Sequence, residues 1–416
     1  MELAPRDCDL AIIGAGMTGA ACAWYAVRAG LRVVILDRGP VAGGTTGAGE
    51  GNLLVSDKEP GPELELGLLS THLWHDLSQE PGIGGEIEYE AKGGLVVASG
   101  QDGLAALHAL AVEQRRFGVE YESVAAESLT ELEPHISPSY AGGVYYPQDA
   151  QVQPARAAAV LLREAVRQGA VLHTGTTVTS LLRDAVADDD TRGNARDDPG
   201  GVVRGVVTDR GTLRATWVLN AAGTWGGAIA QLAGVRLPVL PRRGFVLVTE
   251  PLPRVIRHKV YAADYVANVA SDSSALQSSA VVEGTASGPV LIGASRERVG
   301  FDRSFSLPVA RKLAAQAVAM FPILERVRVM RSYLGFRPYL PDHLPAIGAD
   351  PRAPGLLHAC GHEGAGIGLA PGTGYLLAQV LTGKAPELDL TPFRPERFEL
   401  ADDQDGDRDG SEGGGE

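Results

Sequence analysis

Three glycines near the start of the chain have the spacing that a phosphate-binding turn requires. Gly14, Gly16 and Gly19 follow the apolar run "CDLAII" and lead into the alanine-rich run "MTGAACAWYAVR". In a strand–turn–helix unit the first glycine permits the tight turn, the second lets the main chain approach a pyrophosphate, and the third lets helix and strand pack closely. Asp37 ends the next apolar run, at the distance expected of an acid that binds ribose hydroxyls. The pattern predicts a dinucleotide site and leaves open whether NAD or FAD occupies it.

A histidine and a glutamate stand side by side in a second glycine-rich stretch, "GHEGAGIGLAPGTGYLL", at residues 361–377. His362 and Glu363 could belong to a metal site, but the HExxH spacing is absent and no third ligand clusters beside them. We therefore predict no metal here. Because the first turn already accounts for the phosphates, this stretch is predicted to face the other end of the cofactor, near the substrate.

Two further stretches are rich in small residues after an apolar run. One is "DRGPVAGGTTGAGEGNLL", which continues from Asp37 in a way that NAD binding does not need, and the other is "WVLNAAGTWGGAIAQLAG". With the two turns above, they resemble the FAD-dependent amine oxidoreductases of the D-amino-acid oxidase and glycine oxidase family, from about residue 8 to 395. The segments "GTTGAGEGNLLVSDKEPGPEL", "VLIGASRERVGFD", "GFRPYLPDHLPAIG" and "GHEGAGIGLAPGTG" are most similar to flavoprotein subunits of opine oxidase, D-hydroxyproline dehydrogenase and hydrogen cyanide synthase.

The resemblance implies that the cofactor is FAD and that no covalent bond holds it. Sarcosine oxidases attach FAD to a cysteine near the position of Gly335, where this chain has no thiol. The predicted cofactor contacts are Gly14, Gly16, Gly19, Asp37, Arg38, Thr45, Thr46, Gly51, Val178, Ala222, Gly223, Trp225, Gly361, Gly364, Gly366, Ile367 and Gly368.

The resemblance also implies which residues bind the substrate. Arg337 in "GFRPYLPD" matches the arginine that holds the substrate carboxylate in glycine oxidases, and a guanidinium can grip a carboxylate with two parallel hydrogen bonds. A surface ion pair is the alternative for this arginine. Tyr265 in "AADYVANV" roughly matches a substrate-contacting tyrosine, with packing in a sheet as its alternative. Arg337, Tyr265, His362 and Glu363 form the predicted catalytic set. Gly364 stands where glycine oxidases have a second arginine, so no two-arginine clamp is implied there.

The activity implied by the family is FAD-dependent oxidation of the CH–NH bond of a D-amino acid or cyclic imino acid, such as D-hydroxyproline, glycine or an opine. A hydride would pass to flavin N5, and O2, a quinone or a partner subunit would accept the electrons. Two alternatives remain: an enzyme of the same fold acting on a hydroxy acid, and an FAD-carrying subunit of a hetero-oligomeric dehydrogenase with little activity alone.

The elements that must position these residues are predicted from periodicity and turn residues. Helical patterns cover 63–79, 102–117 and 154–168, and a further helix is expected after Gly368. The return to a strand, glycine turn and helix late in the chain predicts an α/β fold, with a discontinuous Rossmann-like FAD-binding domain and an inserted, largely antiparallel α+β substrate domain. The predicted limits are 7–85, 145–235 and 336–398 for the first domain and 86–144 and 236–335 for the second.

Composition restricts the function classes. The net charge of the 416 residues is −14, but residues 184–201 and 399–416 have net charges of −4 and −7, so the rest carries about −3. We predict that these two segments are a disordered loop and tail rather than a binding face. No basic patch points to nucleic acid, no stretch predicts a membrane span, and three cysteines without a CxxC pair suit a reduced compartment. An acidic N-terminus without signal-peptide features makes the cytoplasm the expected location.

Overall fold

The computed structural model describes residues 7–184, 201–265 and 276–398. The predicted acidic loop lies outside these residues except for Asp184 and Gly201, and the predicted acidic tail lies wholly outside them. Within the described ranges, no helix combines the length and the apolar character needed to cross a membrane.

The described helices begin within one residue of the positions predicted for the three periodic segments. The third of these helices has clear start and stop residues. Pro154 occupies its first turn, and the Gln153 side chain accepts a hydrogen bond of 2.6 Å from the Arg156 amide. Gly169 follows its end with a φ of +106°. The helices are α1 Met17–Arg28, α2 Pro62–Gln79, α3 Gln101–Arg115, α4 Leu129–Leu132, α5 Pro154–Arg167, α6 Gly226–Leu232, α7 Leu307–Met320 and α8 Gly366–Leu381.

The described strands form two eight-stranded sheets and a two-stranded ribbon. They are β1 Cys8–Ile13, β2 Val33–Leu36, β3 Asn52–Leu53, β4 Gly94–Ala98, β5 Glu122–Ala125, β6 Gly142–Tyr146, β7 Ala150–Gln151, β8 Val171–His173, β9 Val178–Arg183, β10 Val203–Thr208, β11 Gly211–Asn220, β12 Leu240–Thr249, β13 Lys259–Ala262, β14 Gln277–Gly284, β15 Val290–Arg296, β16 Val329–Tyr339, β17 Ala346–Ala349 and β18 Leu356–Cys360.

The first sheet has the order β17-β18-β11-β1-β2-β8, with β10 and β9 continuing from β11. Strands β18, β11, β1, β2 and β8 are parallel to one another, whereas β17, β10 and β9 join antiparallel. Leu10 and Ile12 of β1 pack in the core with α1, α5 and α8, while Ala11 and Ile13 pack in the core on the other face. The sheet is therefore buried on both faces. Because β1, β2 and β11 are parallel, their carboxyl ends lie at the same edge of the sheet.

The second sheet has the order β16-β12-β15-β14-β13-β4-β6-β5 and is antiparallel except for the β13–β4 pair. Helix α7 packs against it. Strands β4, β6, β13 and β14 were not expected from the sequence, because buried strands of four to eight residues show no alternation of apolar and polar residues. The domain limits stay a prediction.

The late helix was predicted to begin after Gly368, and this was wrong by three residues, because α8 begins at Gly366. Pro371 lies inside the helix and cannot donate to the carbonyl of Ile367. The indole Nε1 of Trp74 donates instead to the carbonyl oxygens of Ile367 and Gly368, at 3.2 and 3.1 Å. This tryptophan on α2 lets the helix start early despite its proline.

Candidate active site

A cavity of about 620 Å³ is lined by residues from both large sheets. All four predicted catalytic residues line it, as do most of the predicted cofactor contacts. The lining includes Gly14, Gly16, Asp37, Arg38, Thr45, Thr46, Gly51, Val178, Ala222, Gly223, Trp225, Gly364, Gly366 and Ile367. Gly19, Gly361 and Gly368 do not line it.

The first glycine turn brings backbone against backbone. Gly14 follows β1 with a φ of +121°, and a Cβ atom there would lie 2.3 Å from the carbonyl oxygen of Ala221. A Cβ atom at Gly19 would lie 2.0 Å from the carbonyl oxygen of Gly14, which gives this glycine a packing role beneath the turn. The turn is therefore closed to any residue with a side chain at these two positions.

Helix α1 begins at this turn and points its N-terminus at the cavity. The Asp37 carboxylate accepts hydrogen bonds of 2.7 Å from the amides of Ala15 and Gly39, which fixes it at the end of β2. The amide of Met17 donates to the Thr46 hydroxyl at 2.9 Å. Amides and the positive end of a helix dipole face this part of the cavity, an arrangement that suits phosphate groups.

Arg38 and Trp225 line the same part of the cavity and contact each other. The Arg38 guanidinium lies 4.2 Å from the ring centroid of Trp225, and the Trp225 ring stacks on Phe301 with 5.5 Å between centroids and 11° between planes. Arg38 follows β2 and Trp225 follows β11, so the contact joins the loops at the ends of two strands. These loops present apolar and cationic surface to the cavity.

Two threonine hydroxyls tie these loops to the second sheet. Thr45 and Thr224 both donate to the carbonyl oxygen of Phe336 on β16, at 2.6 and 2.8 Å. Arg337 is the next residue of β16 and reaches the cavity. The hydrogen bonds therefore set the position of Arg337 relative to the first glycine turn.

Arg337 carries a positive charge that no described acid neutralises by an ion pair. Its Nη1 donates to the carbonyl oxygen of Ser295 at 2.8 Å, and Gly244 leaves the space that the guanidinium occupies. Burial and the positive charge of Arg296 lower the pKa of Arg337 to about 10, so the guanidinium stays charged at neutral pH. Such a group is stabilised when an anion enters the cavity.

His362 is a neutral histidine in this structure. Burial lowers the pKa of its imidazole to about 4. The Thr373 hydroxyl donates to the carbonyl oxygen of Leu369 at 2.9 Å, so it accepts from Nε2 of His362 at 3.0 Å. This assigns the Nε2–H tautomer from the hydrogen-bond network. Gly361 before it adopts a φ of +83° against Leu340, which turns the chain from β18 toward the cavity.

Glu363 is held in a buried ion pair. Its Oε1 accepts from Nη1 of Arg242 at very short range, and its Oε2 accepts from Nδ1 of His343 at 3.1 Å. Burial raises the pKa of the Glu363 carboxyl, but the hydrogen bond from His343 and the charges of Arg242 and Arg296 outweigh burial and leave the pKa below its usual value. Glu363 is therefore ionised and already paired, and we assign it to holding the turn. Its predicted catalytic role stays a prediction.

Tyr265 lies where it could contact a substrate and also packs against the second sheet, the two alternatives that the sequence left open. The side chain lines the cavity, and its ring also contacts Tyr261 edge-on with 5.1 Å between centroids. The Arg296 guanidinium lies 4.6 Å from the Tyr265 centroid. Residues 266–275 that follow lie outside the described part of the chain.

Among the residues in or beside the cavity that sequence reasoning missed, three carry ionisable side chains that bear on the site's chemistry: Glu50, Arg242 and Cys360. Glu50 lines the cavity and is 8% exposed. The one sequence feature that could have indicated it is that it is the single acid in the loop "GGTTGAGEGN". Arg242 lies on β12, far from Glu363 in sequence, and offers no local signal. Cys360 also lines the cavity, and burial raises the pKa of its thiol to about 12, so it is a poor nucleophile. Among the described residues no cluster of three potential metal ligands occurs.

Comparison with known proteins places these features in one family. A family model described as FAD dependent oxidoreductase matches residues 9–380. The chain is 30% identical to the hydrogen cyanide synthase subunit HcnC of Pseudomonas aeruginosa, over 95% of this chain and 97% of that protein. It is 29% identical to a glycine oxidase of Geobacillus kaustophilus, over 92% of this chain and 96% of that enzyme. The crystal structure of glycine oxidase from G. kaustophilus matches with a TM-score of 0.81 at 27% identity, covering 94% of this chain and 99% of that one. The predicted α/β fold class is thereby confirmed.

Proposed function

The chain belongs to the DAO family of FAD-dependent oxidoreductases, and on this premise we propose that it oxidises the CH–NH bond of a D-amino acid or cyclic imino acid. The observation that carries the proposal is Arg337. Its charged guanidinium lines the cavity, and no described acid forms an ion pair with it. A substrate carboxylate supplies the missing counter-ion and is held in one orientation by two N–H donors.

The residues of the first turn fit FAD. The steric closure at Gly14, the N-terminus of α1 and the fixed carboxylate of Asp37 form the cradle that a dinucleotide needs. Gly364 and Gly366, at the other glycine turn, are the proposed neighbours of the flavin. When bound, FAD supplies the acceptor for the hydride that leaves the substrate carbon. Because the Cys360 thiol stays protonated, we propose that FAD is bound without a covalent link.

The chain's own residues orient the substrate and control charge. Arg337 holds the carboxylate, and the Arg242–Glu363 pair adds no net charge to the cavity wall. Neutral His362 keeps a further positive charge out of the site. Gly366, the first residue of the sixteen-residue helix α8, lines the cavity. The positive end of this helix would stabilise negative charge on a flavin bound beside it.

The proposal is tested with purified, FAD-loaded protein under anaerobic conditions. Glycine, sarcosine, D-proline and D-alanine are added in turn, with D-lactate as the hydroxy-acid probe, and bleaching of the flavin absorbance is followed. We expect bleaching by at least one amino or imino acid. Bleaching by D-lactate alone would replace the proposal with a hydroxy-acid oxidoreductase.

The role of Arg337 is tested by substitution. Arg337→Ala removes the buried charge that meets the carboxylate, so kcat/KM for the amino acid should fall about 100- to 1000-fold while FAD stays bound. The matched control is Arg303→Ala, which removes an exposed arginine from the same cavity lining. It should change kcat/KM less than about threefold. An unchanged kcat/KM in Arg337→Ala would remove Arg337 from the site.

A second candidate function comes from the similarity to a protein named as a subunit of hydrogen cyanide synthase. This chain would then carry FAD within a hetero-oligomeric dehydrogenase and pass electrons to a partner. Reoxidation separates the two possibilities. Substrate-reduced protein that reoxidises rapidly in air is an autonomous oxidase, whereas slow reoxidation in air and in quinone supports a partner-dependent subunit.

A further inference from the structure

Glu50 is a buried carboxylate that forms no hydrogen bond or ion pair with the part of the chain that the structure describes. It is 8% exposed and lines the cavity, yet neither of its side-chain oxygens forms a hydrogen bond or ion pair with another described residue. Its Oε1 lies wholly out of contact with solvent. Burying an ionised carboxylate in this way is costly unless a donor or cation meets it. Oε1 packs against Gly293, so Oε2 is the carboxylate oxygen through which Glu50, a residue of the cavity lining, can meet a bound group.

The position of Glu50 relative to Arg337 follows from contacts with three strands. Gly335 and Gly244 are directly paired between β16 and β12, and the Arg337 guanidinium lies against Gly244. A Cβ atom at Gly335 would lie 2.6 Å from Cβ of Ala48, so the loop that carries Glu50 passes beside this pair. The carboxylate and the guanidinium therefore face the same part of the cavity.

Strand β15 contacts both charged side chains. A Cβ atom at Gly293 would lie 2.3 Å from Oε1 of Glu50, and Ser295, two residues along β15, accepts the hydrogen bond from Arg337. The two side chains form no direct ion pair in the structure, but an α-amino acid can bridge them with one hydrogen bond of about 2.8 Å at each end.

We propose that Glu50 is the second pole of the substrate site: it binds the substrate ammonium group and accepts its proton. This inference rests on the proposed function and makes the substrate a zwitterion, with its carboxylate on Arg337 and its nitrogen on Glu50. In the proton transfer one N–H bond of the ammonium breaks, the electron pair stays on nitrogen, and an O–H bond forms on Glu50. The products are a neutral amine, which is the form that can release hydride, and a neutral carboxylic acid.

Other charged and titratable groups surround Glu50 and shape this step. The groups that interact with it electrostatically lie on β13, β14 and β16, and they are Lys259, Glu283, Tyr333 and Arg337. Lys259 is already paired with Glu283 at 2.5 Å and donates to Asn52. Arg296 on β15 is a second buried guanidinium that acts electrostatically on Arg337. Of these two arginines Arg337 lines the cavity and can meet an incoming carboxylate, and Glu50 lines it as an acid that can meet an incoming ammonium.

A matched pair of non-oxidisable probes tests the binding half of the proposal. 2-Aminoisobutyrate and pivalate both lack a Cα hydrogen and differ in having an ammonium or a methyl group at the same position. Calorimetric titration of the FAD-loaded wild type should show at least about tenfold tighter binding of 2-aminoisobutyrate. Glu50→Gln should abolish this preference and leave pivalate binding intact or stronger. Glu164→Gln, which alters a buried carboxylate outside the cavity lining, should retain the preference.

Equal binding of the two probes by the wild type would overturn the proposal, and this comparison needs no variant to fold. A preference that survives in Glu50→Gln would also overturn it. If no amino or imino acid bleaches the flavin, the proposed function fails, while the two probes still decide whether Glu50 is a cation site.

A pH profile tests the proton-accepting half. For the amino acid that bleaches the flavin, kcat/KM of Glu50→Gln should be at least about tenfold below the wild type at pH 7. The two should converge above the pKa of the free amine, where the substrate arrives neutral and needs no acceptor. A constant ratio at every pH would show a structural role and overturn proton acceptance by Glu50.

Discussion

The two strand–glycine turn–helix units of the first sheet look alike in sequence but are built differently. After β1, Gly14 packs its backbone against Ala221 at a distance that no side chain could share. After β18, the chain also turns at a glycine, Gly361, but the following turn is held by side chains, with Glu363 at a φ of +45° and paired with Arg242. The first turn presents main chain to the cavity, whereas the second presents His362 and Glu363.

The difference shows that glycine content alone does not reveal what a turn does. In the first unit the glycines bring two backbones together and leave amides at a helix N-terminus. In the second, the exposed Gly364 packs loosely against Arg337, where a Cβ atom would lie 3.7 Å from Cδ. Within the second turn Gly364 therefore leaves room for a side chain, whereas Gly361, with a φ of +83° and a Cβ position 2.1 Å from Leu340, does not.

The largest expected effect is at the first turn. Gly14→Ala would force Cβ to 2.3 Å from a backbone oxygen and would hold alanine at a φ of +121°. We expect a loss of at least about 3 kcal/mol of unfolding free energy and protein that no longer retains FAD. The FAD-to-protein ratio after gel filtration and urea unfolding measure both.

The matched control is Gly30→Ala. Gly30 has a φ of +88° but no heavy atom within 4 Å of a Cβ position. It should cost only about 1 to 2 kcal/mol and leave FAD binding unchanged. If both variants retain FAD equally, the steric closure of the first turn is not what binds the cofactor.

The second turn should fail through its ion pair. Glu363→Gln keeps the shape of the side chain but removes the negative charge that faces the Arg242 guanidinium, which is 1% exposed. We expect a loss of about 3 kcal/mol in unfolding free energy, with FAD still bound to the remaining folded protein. Urea unfolding followed by circular dichroism gives the free energy, and flavin absorbance gives the occupancy.

Glu164→Gln is the control for that loss. Glu164 is also buried, but its partners Arg163 and Arg167 have side chains that are 44% and 69% exposed. Water can solvate these guanidinium groups once the carboxylate is gone, so the cost should stay below about 1 kcal/mol. Equal losses in the two variants would mean that the burial of Arg242 adds nothing.

The same contrast explains which features could be predicted from the sequence. The first turn could be predicted because the residues it requires are close in sequence. A strand, three glycines and an acid at a set distance all lie within residues 8–37. The second sheet could be predicted only in part, since β13 is a four-residue strand whose parallel partner β4 lies far earlier in the sequence. The boundary of α8 depended on Trp74, which belongs to another helix.

The charged side chains of the site needed the tertiary structure. Arg337 could be identified from its match to a family motif. Arg242 and Glu50, two other charged residues in or beside the cavity, lie on a different strand and in a different loop. A long-range pair such as Arg242 and Glu363 leaves no spacing that a single sequence can reveal. The pairing also changed the interpretation of Glu363, because an acid already neutralised by an arginine is poorly suited to act as a base.

The smallest expected effect is at the glycine of the second turn, and it is the sharpest test of the contrast. Gly364→Ala adds a methyl group 3.7 Å from Cδ and Nε of Arg337, an ordinary contact distance, and the residue has no positive φ to strain. We expect a change below about 1 kcal/mol in unfolding free energy, with gain or loss equally compatible, because alanine also restricts the unfolded chain. FAD occupancy should fall less than in Gly14→Ala, because the added methyl group meets no backbone atom of the protein. A loss of FAD comparable with that of Gly14→Ala would mean that the cofactor approaches the main chain as closely at the second turn as at the first, and the distinction between the two turns would then be wrong.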